Sequence, residues 1–468
     1  MTEKEMKENG LSNNEVLYGL YTERYVKNFG TSDVRVNPHL IKAYFQVKLA
    51  AAETNYKSGK LFQEKYEAIE EAIDELIDEV NQTLLQKSYS IYDKIVVDAY
   101  QGGTGTYLNM NINEVIARTA LKNLGKNNDD YSTIHPIEDV NMSQSTNDTY
   151  PTAVKIATIH LLKELSNSFM WLVKSLRQKE KDFASVLKLG RTQLQDAVPI
   201  SLGQSFQAYA DAIQRIIDQI KNCEEQLTEV NLGGTAIGNS IAAPKEYTKH
   251  VITELRKKTG LDLKPAKNLI DNTQNLDVFV GVSGVLKTAS VILIKMANDL
   301  RLMASGPMGG FGEIKLPEQY SVSSFIPGKS NPAVLENTIQ IAELIKGHDV
   351  VVSNLVAAGN LELNSFLPMI SHILLKSIEL LRNTNYRLSE NCIKLIEANR
   401  DKCRETLLKT SAIAPSLVNT YGLQTISEIV QYANENQIPF LKALLKSNLV
   451  TEDELFQILS KELSINLE

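Results

Sequence analysis

At 468 residues, with 43% hydrophobic and 22% charged residues, the chain has the composition of a globular protein with a large core. Length alone points to about three domains, and a formal net charge of -7 with well-mixed lysines and acids argues against a nucleic-acid backbone as partner. Cys223, Cys392 and Cys403 are too scattered for a disulfide framework or a metal knuckle, the charged start Met1-Thr2-Glu3-Lys4-Glu5 lacks the apolar core of a signal peptide, and no apolar stretch is expected to reach the ~18 residues of a membrane span. The expectation is a soluble, cytoplasmic protein with free thiols.

Val34-Arg35-Val36 is the first extended signal, too short to found a sheet. The spacing of Val154, Ile156, Ile159, Leu162, Leu165, Phe169, Leu172 and Leu176 predicts a helix over 152–184, opening after Pro151, a favoured helix-start residue. Leu202, Phe206, Tyr209, Ile213, Ile216, Ile220, Cys223, Leu227 and Val230 alternate four- and three-residue steps, which keeps one stripe on one face of a long helix. Such a stripe is expected to need cover from other chains, which predicts a tetramer. Segments 275–303, 332–358 and 368–387 are apolar in the same way, and five long helices in sequence predict an all-α chain built on a helix bundle. Thr451-Glu452-Asp453-Glu454 is a cap followed by acids, a helix start. Three domains follow: 1–141, mixed helical; 142–398, the bundle; and 399–468, small and helical.

Four loops depart from packing logic. Gln101-Gly102-Gly103-Thr104-Gly105-Thr106 is followed by Asn109, Asn111, Asn113 and Glu114; then come Ser143-Gln144-Ser145-Thr146-Asn147-Asp148 and Gly190-Arg191-Thr192-Gln193-Leu194-Gln195-Asp196. The fourth runs from Ser305-Gly306-Pro307 to Ser323-Ser324-Phe325-Ile326-Pro327-Gly328-Lys329-Ser330-Asn331-Pro332. Each supplies hydroxyl and amide donors, and glycines let backbone N–H groups face a ligand. Two of them precede long helices, whose N-termini favour an anion. One lysine among many neutral donors suits a small dicarboxylate better than a polyphosphate. A single such loop is more often a turn and helix cap than a site, so the weight lies in all four together.

Ser323-Ser324-Phe325-Ile326-Pro327-Gly328-Lys329-Ser330-Asn331-Pro332 is similar to the signature Gly-Ser-Ser-x-Met-Pro-x-Lys-x-Asn-Pro of the aspartase/fumarase superfamily. The other loops resemble that family's Gly-Gly-x-Gly-Thr, Ser-Thr-Asn-Asp and Gly-Arg-Thr regions, and Tyr18-Gly19-Leu20-Tyr21-Thr22, Pro244-Lys245-Glu246-Tyr247 and Asn298-Asp299-Leu300-Arg301 extend the likeness to about Asn364. The resemblance implies a homotetramer with a shared multi-helix core, each active site being assembled from loops of three subunits, and a chemistry that needs no metal or organic cofactor. It implies a dicarboxylate substrate, Ser323 as catalytic base, and Lys329 and Asn331 as carboxylate binders. Thr106, Ser145, Thr146 and Ser324 would hold the second carboxylate, with Asn147, Thr192 and Gln193 around the leaving group.

Within the family, Thr146 follows the ammonia-lyase pattern, where fumarases carry serine, and Gln193 stands where fumarases, and some ammonia-lyases for aspartate, carry histidine. A glutamine can orient an ammonium but cannot act as a general acid, so ammonia is the expected leaving group and L-aspartate the expected substrate. A lyase for another substituted succinate is the alternative, then a fumarate hydratase, then a scaffold without activity. Val322, Ile326, Ser330, Met308 and Lys315 depart from the family pattern, and Ile137-Glu138-Asp139 replaces an Asn-Asp-His pattern tied to a second anion site. The six histidines show no ligand spacing, and His160 reads as core-adjacent.

Overall fold

The computed structural model describes residues 17–30, 32–317 and 323–463. In chain order the α-helices are α1 Leu20–Phe29, α2 Pro38–Lys57, α3 Gln63–Leu84, α4 Thr106–Asn123, α5 Thr146–Asp182, α6 Leu202–Leu227, α7 Lys245–Thr259 and α8 Leu269–Gln274. They continue as α9 Asp277–Met303, α10 Ala333–Ala357, α11 Leu367–Asn391, α12 Arg400–Lys409, α13 Ala414–Tyr421, α14 Leu423–Glu435, α15 Phe440–Lys446 and α16 Glu452–Leu463. Among the described residues extended chain is confined to three two-stranded pairs. These are the antiparallel hairpin of β1 (Leu187–Thr192) and β2 (Gln195–Ser201), parallel β3 (Glu229–Val230) with β4 (Lys264–Pro265), and antiparallel β5 (Ile314–Lys315) with β6 (Glu397–Ala398). The segment at 34–36 pairs only through Arg35, which bridges to Asp98. The all-α class with five long helices, α5, α6, α9, α10 and α11, is as expected.

The chain divides into two compact units. The first comprises Met1–Leu165, Gln219–Lys287 and Ile345–Leu380; the second comprises Ser166–Asp218, Thr288–Leu344 and Leu381–Glu468. Each of the five long helices supplies a segment to both. In the first unit α2 packs against α3 and α7, and α4 against α3. Asn37 caps α2 by accepting the N–H of His39 at 2.9 Å, Pro38 sets its first turn, and nearly every residue from Leu40 to Ala52 is buried, the pattern of a helix enclosed on all sides. In the second unit Leu187 and Leu189 of the hairpin share a core with Leu417 and Ile429, and with Phe440 and Leu455. There Thr451 and Glu454 exchange bonds, Thr451 N–H to the carboxylate at 2.8 Å and Glu454 N–H to the hydroxyl at 3.3 Å, the reciprocal cap that starts α16.

Three expectations need correction. Helix α5 begins at Thr146, not after Pro151, which lies inside it. A proline there cannot donate to the carbonyl of Asn147, and the side-chain amide of Asn231 fills the gap, donating to that carbonyl at 3.0 Å. The stripe from Leu202 to Val230 is already buried within one chain, so it does not itself require a neighbouring subunit. Exposed apolar residues lie instead on α9 and α10, at Val291, Leu344, Val350 and Val351. Finally, α9 is long and apolar enough to cross a membrane by length and composition alone. Its buried residues Phe279, Val282, Leu286, Ala289, Leu293, Met296 and Leu300 recur at three- and four-residue steps, the spacing of a packed bundle helix.

Candidate active site

The first unit carries Thr106, Ser145, Thr146 and Asn147. Gly103, Thr104 and Gly105 all have positive φ, and a Cβ on Gly105 would stand 2.2 Å from the Tyr150 ring, so the turn that exposes Thr106 at the head of α4 needs that glycine. The Ser145 turn is pinned from several sides. Asp148 Oδ1 accepts the N–H of Ser145 at 3.0 Å, while its Oδ2 accepts those of Gly233 at 3.1 Å and Thr235 at 3.0 Å. Asn147 donates to the carbonyl of Ala236 at 2.8 Å, and its own N–H meets Ser145 Oγ at 3.2 Å. Burial pushes the Asp148 carboxyl up to about 7, against the pull of three backbone donors and the charge of Lys48. Thr146 thus sits, buried, at the N-terminus of a long helix whose first turn is held by side chains, the end of a helix that favours an anion.

The second unit carries Thr192, Gln193, Ser323, Ser324, Lys329 and Asn331. Thr192 pairs with Gln195, leaving Gln193 and Leu194 as the two-residue turn, with φ of 54° and 61°. Non-glycine residues at both left-handed positions of a tight hairpin store strain, and both side chains are exposed. Below the tip, Glu313 is fully buried between Arg191 at 2.7 Å and Lys188 at 3.0 Å, and the Arg191 guanidinium lies 4.0 Å from the centroid of the Phe311 ring. The next two residues form β5, which pairs with β6, so the chain beyond Glu313 starts from a fixed root. Ser323 Oγ accepts the N–H groups of Phe325 at 3.2 Å and Ile326 at 3.0 Å, and its own N–H donates to the carbonyl of Lys329 at 3.0 Å. Ser324, Lys329 and Ser330 are exposed, and Asn331 is half-exposed beside Pro332 and Asn391.

Ser145 to Asn147 form one cluster, Ser323 and Lys329 another, and Gln193 stands at the hairpin tip. Val322 lies outside the described residues. Met308 is almost wholly exposed, and Asp139 closes a structural turn, accepting from Lys65 at 2.6 Å and from the N–H of His135 at 2.7 Å. Half-buried His160 has its imidazole pushed down by burial and by nearby lysines, in keeping with a packing role. Among the described residues no three His, Cys, Asp or Glu are placed to share a metal ion. The sequence did not single out Lys48, buried beneath the first-unit loops, or the linking role of Asn141. The available signal was a lone lysine in the apolar run Tyr44–Ala52 of a helix enclosed all round.

A helical chain that presents hydroxyl- and amide-rich loops at helix starts, with a serine oxygen held by two backbone donors, defines a candidate elimination enzyme. A family model described as lyase matches residues 11–347. The chain is 38% identical to an aspartate ammonia-lyase of Bacillus sp over 95% of this chain and 93% of the relative, and 40% identical to that of Pseudomonas aeruginosa over 96% and 93%. A solved structure titled fumarate lyase:delta crystallin, from Brucella melitensis, bound to cobalt, superposes with a TM-score of 0.89 at 40% identity, covering 96% of both chains. A class II fumarase from Schistosoma mansoni gives 0.84 at 27% identity, covering 95% and 94%. The chain belongs to the lyase family, within the aspartase/fumarase superfamily, and is a carbon–nitrogen lyase.

Proposed function

We propose that this lyase eliminates ammonia from L-aspartate to give fumarate, with Ser323 as the base. The observation that carries the reading is the pair of backbone N–H groups on Ser323 Oγ. Serine is a poor base in water, and two preorganised donors aimed at its oxygen favour the alkoxide over the hydroxyl. The alkoxide takes a proton from the substrate Cβ, and the electron pair passes into the adjacent carboxylate as an aci-carboxylate. Thr106, Ser145, Thr146 and Ser324 are the donors assigned to that developing charge, and Lys329 with Asn331 to the other carboxylate. The pair then returns to form the double bond as the Cα–N bond breaks, and neutral ammonia leaves from the ammonium.

Gln193 and Asn147 are assigned to the departing nitrogen. An amide orients an ammonium but has no proton to give a departing hydroxide, which favours aspartate over malate. The protein is further proposed to act in the cytoplasm and to form a homotetramer, and the exposed apolar residues of α9 and α10 support the assembly. Fumarate absorbance followed separately with L-aspartate, L-malate and N-substituted aspartates tests the reading. Rapid release from L-aspartate alone is expected. Comparable rates on malate overturn the argument from Gln193, and activity only on a substituted aspartate moves the assignment to that substrate.

A further inference from the structure

Lys48 lies in the middle of α2 with 1% of its surface exposed, and it forms no ion pair with a described carboxylate. Its ammonium donates instead to two neutral oxygens, Asn109 Oδ1 at 2.7 Å and Asn141 Oδ1 at 2.8 Å. Both acceptors are junctions. Asn109 stands one turn beyond Thr106 on α4. Asn141 Oδ1 also accepts from Asn109 and Asn113, each at 3.1 Å, while its amide donates to the carbonyl of Gln144 at 3.3 Å. On the far side the Tyr44 hydroxyl is 3.2 Å from Asn109 Oδ1 and 2.9 Å from Thr149 Oγ1, which in turn donates to the carbonyl of Ser145 at 2.9 Å. Two routes therefore run from one ammonium to the Ser145 turn, one through Asn109 of the helix that carries Thr106 and one through Asn141, which that same helix holds by two further bonds.

Such a lysine is a poor choice for stability. Burying an ammonium among amides carries a desolvation cost that a Met or Leu would not incur. Burial pushes its pKa down to about 7, with the charge of Asp148 acting the other way. A group that costs stability yet joins two donor-bearing loops has its use in the spacing of those loops. We propose that Lys48 is a positioning residue for the substrate carboxylate, fixing the separation between the Thr106 hydroxyl and the hydroxyls of Ser145 and Thr146. The inference rests on the dicarboxylate reading of these loops, and it adds a residue that touches no substrate atom.

The test compares native protein with Lys48→Met and Asn141→Ala, using calorimetric binding of succinate, an unreactive dicarboxylate, beside KM and kcat for L-aspartate and thermal unfolding. Succinate Kd and KM are expected to rise together by roughly tenfold or more in both variants, with kcat changing less. A folded variant with unchanged succinate Kd overturns the proposal, whatever its unfolding temperature does, because a purely structural lysine alters stability alone. If Lys48→Met does not fold, Asn141→Ala decides by the same criterion. Native protein that binds succinate but leaves L-aspartate intact removes the aspartate reading and leaves the Lys48 comparison standing. Native protein without affinity for succinate overturns both.

Discussion

The Ser145 turn and the Ser323 loop carry the same kinds of residue and are built in opposite ways. Around Ser145, bonds arrive from Asp148, Asn231, Gly233 and Thr235, so moving the turn means breaking contacts to chain more than eighty residues away. The hydrogen bonds of Ser323 close within its own loop, on Phe325, Ile326 and Lys329. A donor set that stabilises developing charge gains from being immobile. A base that must reach a bound substrate gains from carrying its activating donors with it, as a unit, through any opening or closing.

The comparison can be broken first at the root of the Ser323 loop. Glu313→Gln should destabilise the protein by about 3–5 kcal/mol, since it leaves Lys188 and Arg191 buried without their partner. Denaturant unfolding reads this, and a change under about 1 kcal/mol would show that the triad is not what anchors the loop. Next comes Ser323→Ala, expected to lower turnover at least roughly a hundredfold while succinate affinity stays near native. Native turnover in that variant would make Ser323 a plain turn residue. Asn231→Leu should cost about 1–3 kcal/mol, from the orphaned Asn147 carbonyl, and raise KM, because the Ser145 turn loses a tie. Equal stability and KM would mean that the turn is less fixed than its bonds suggest. The smallest effect is expected from Gln193→His: a modest loss of aspartate turnover, and a new inflection in the pH–rate profile near the ordinary imidazole pKa of about 6.5. A profile identical to native would place residue 193 away from the reacting group.

The five long helices were legible because apolar residues at three- and four-residue steps survive any context, and the Thr451 cap was legible because its partners are three residues apart. The start of α5 was misread for a physical reason. Pro151 is a fair signal for a first helical residue, and only the amide of Asn231, distant in sequence, makes five earlier helical residues workable. The β1–β2 hairpin escaped notice because Lys188, Gly190 and Arg191 interrupt alternation, and its turn is Gln-Leu where glycine or asparagine is usual. The hydroxyls and amides of the four loops were legible, since they cluster in short stretches. The supports beneath them could not, because Lys48, Asn141 and Glu313 act through partners from other segments.

Pro151 and Asn231 also bear on how the sequence can change. With any other residue at 151, a helical N–H would again be available to the carbonyl of Asn147, and the side chain at 231 would keep only its other bonds, among them the one to Thr273 Oγ1 at 2.9 Å. The two positions are therefore epistatic: Asn231→Leu should be more harmful beside proline than beside alanine, where only the bonds to Thr273 and Thr152 are lost. A lineage sheds the asparagine more easily once it has shed the proline, and that bias is written into the geometry of one carbonyl.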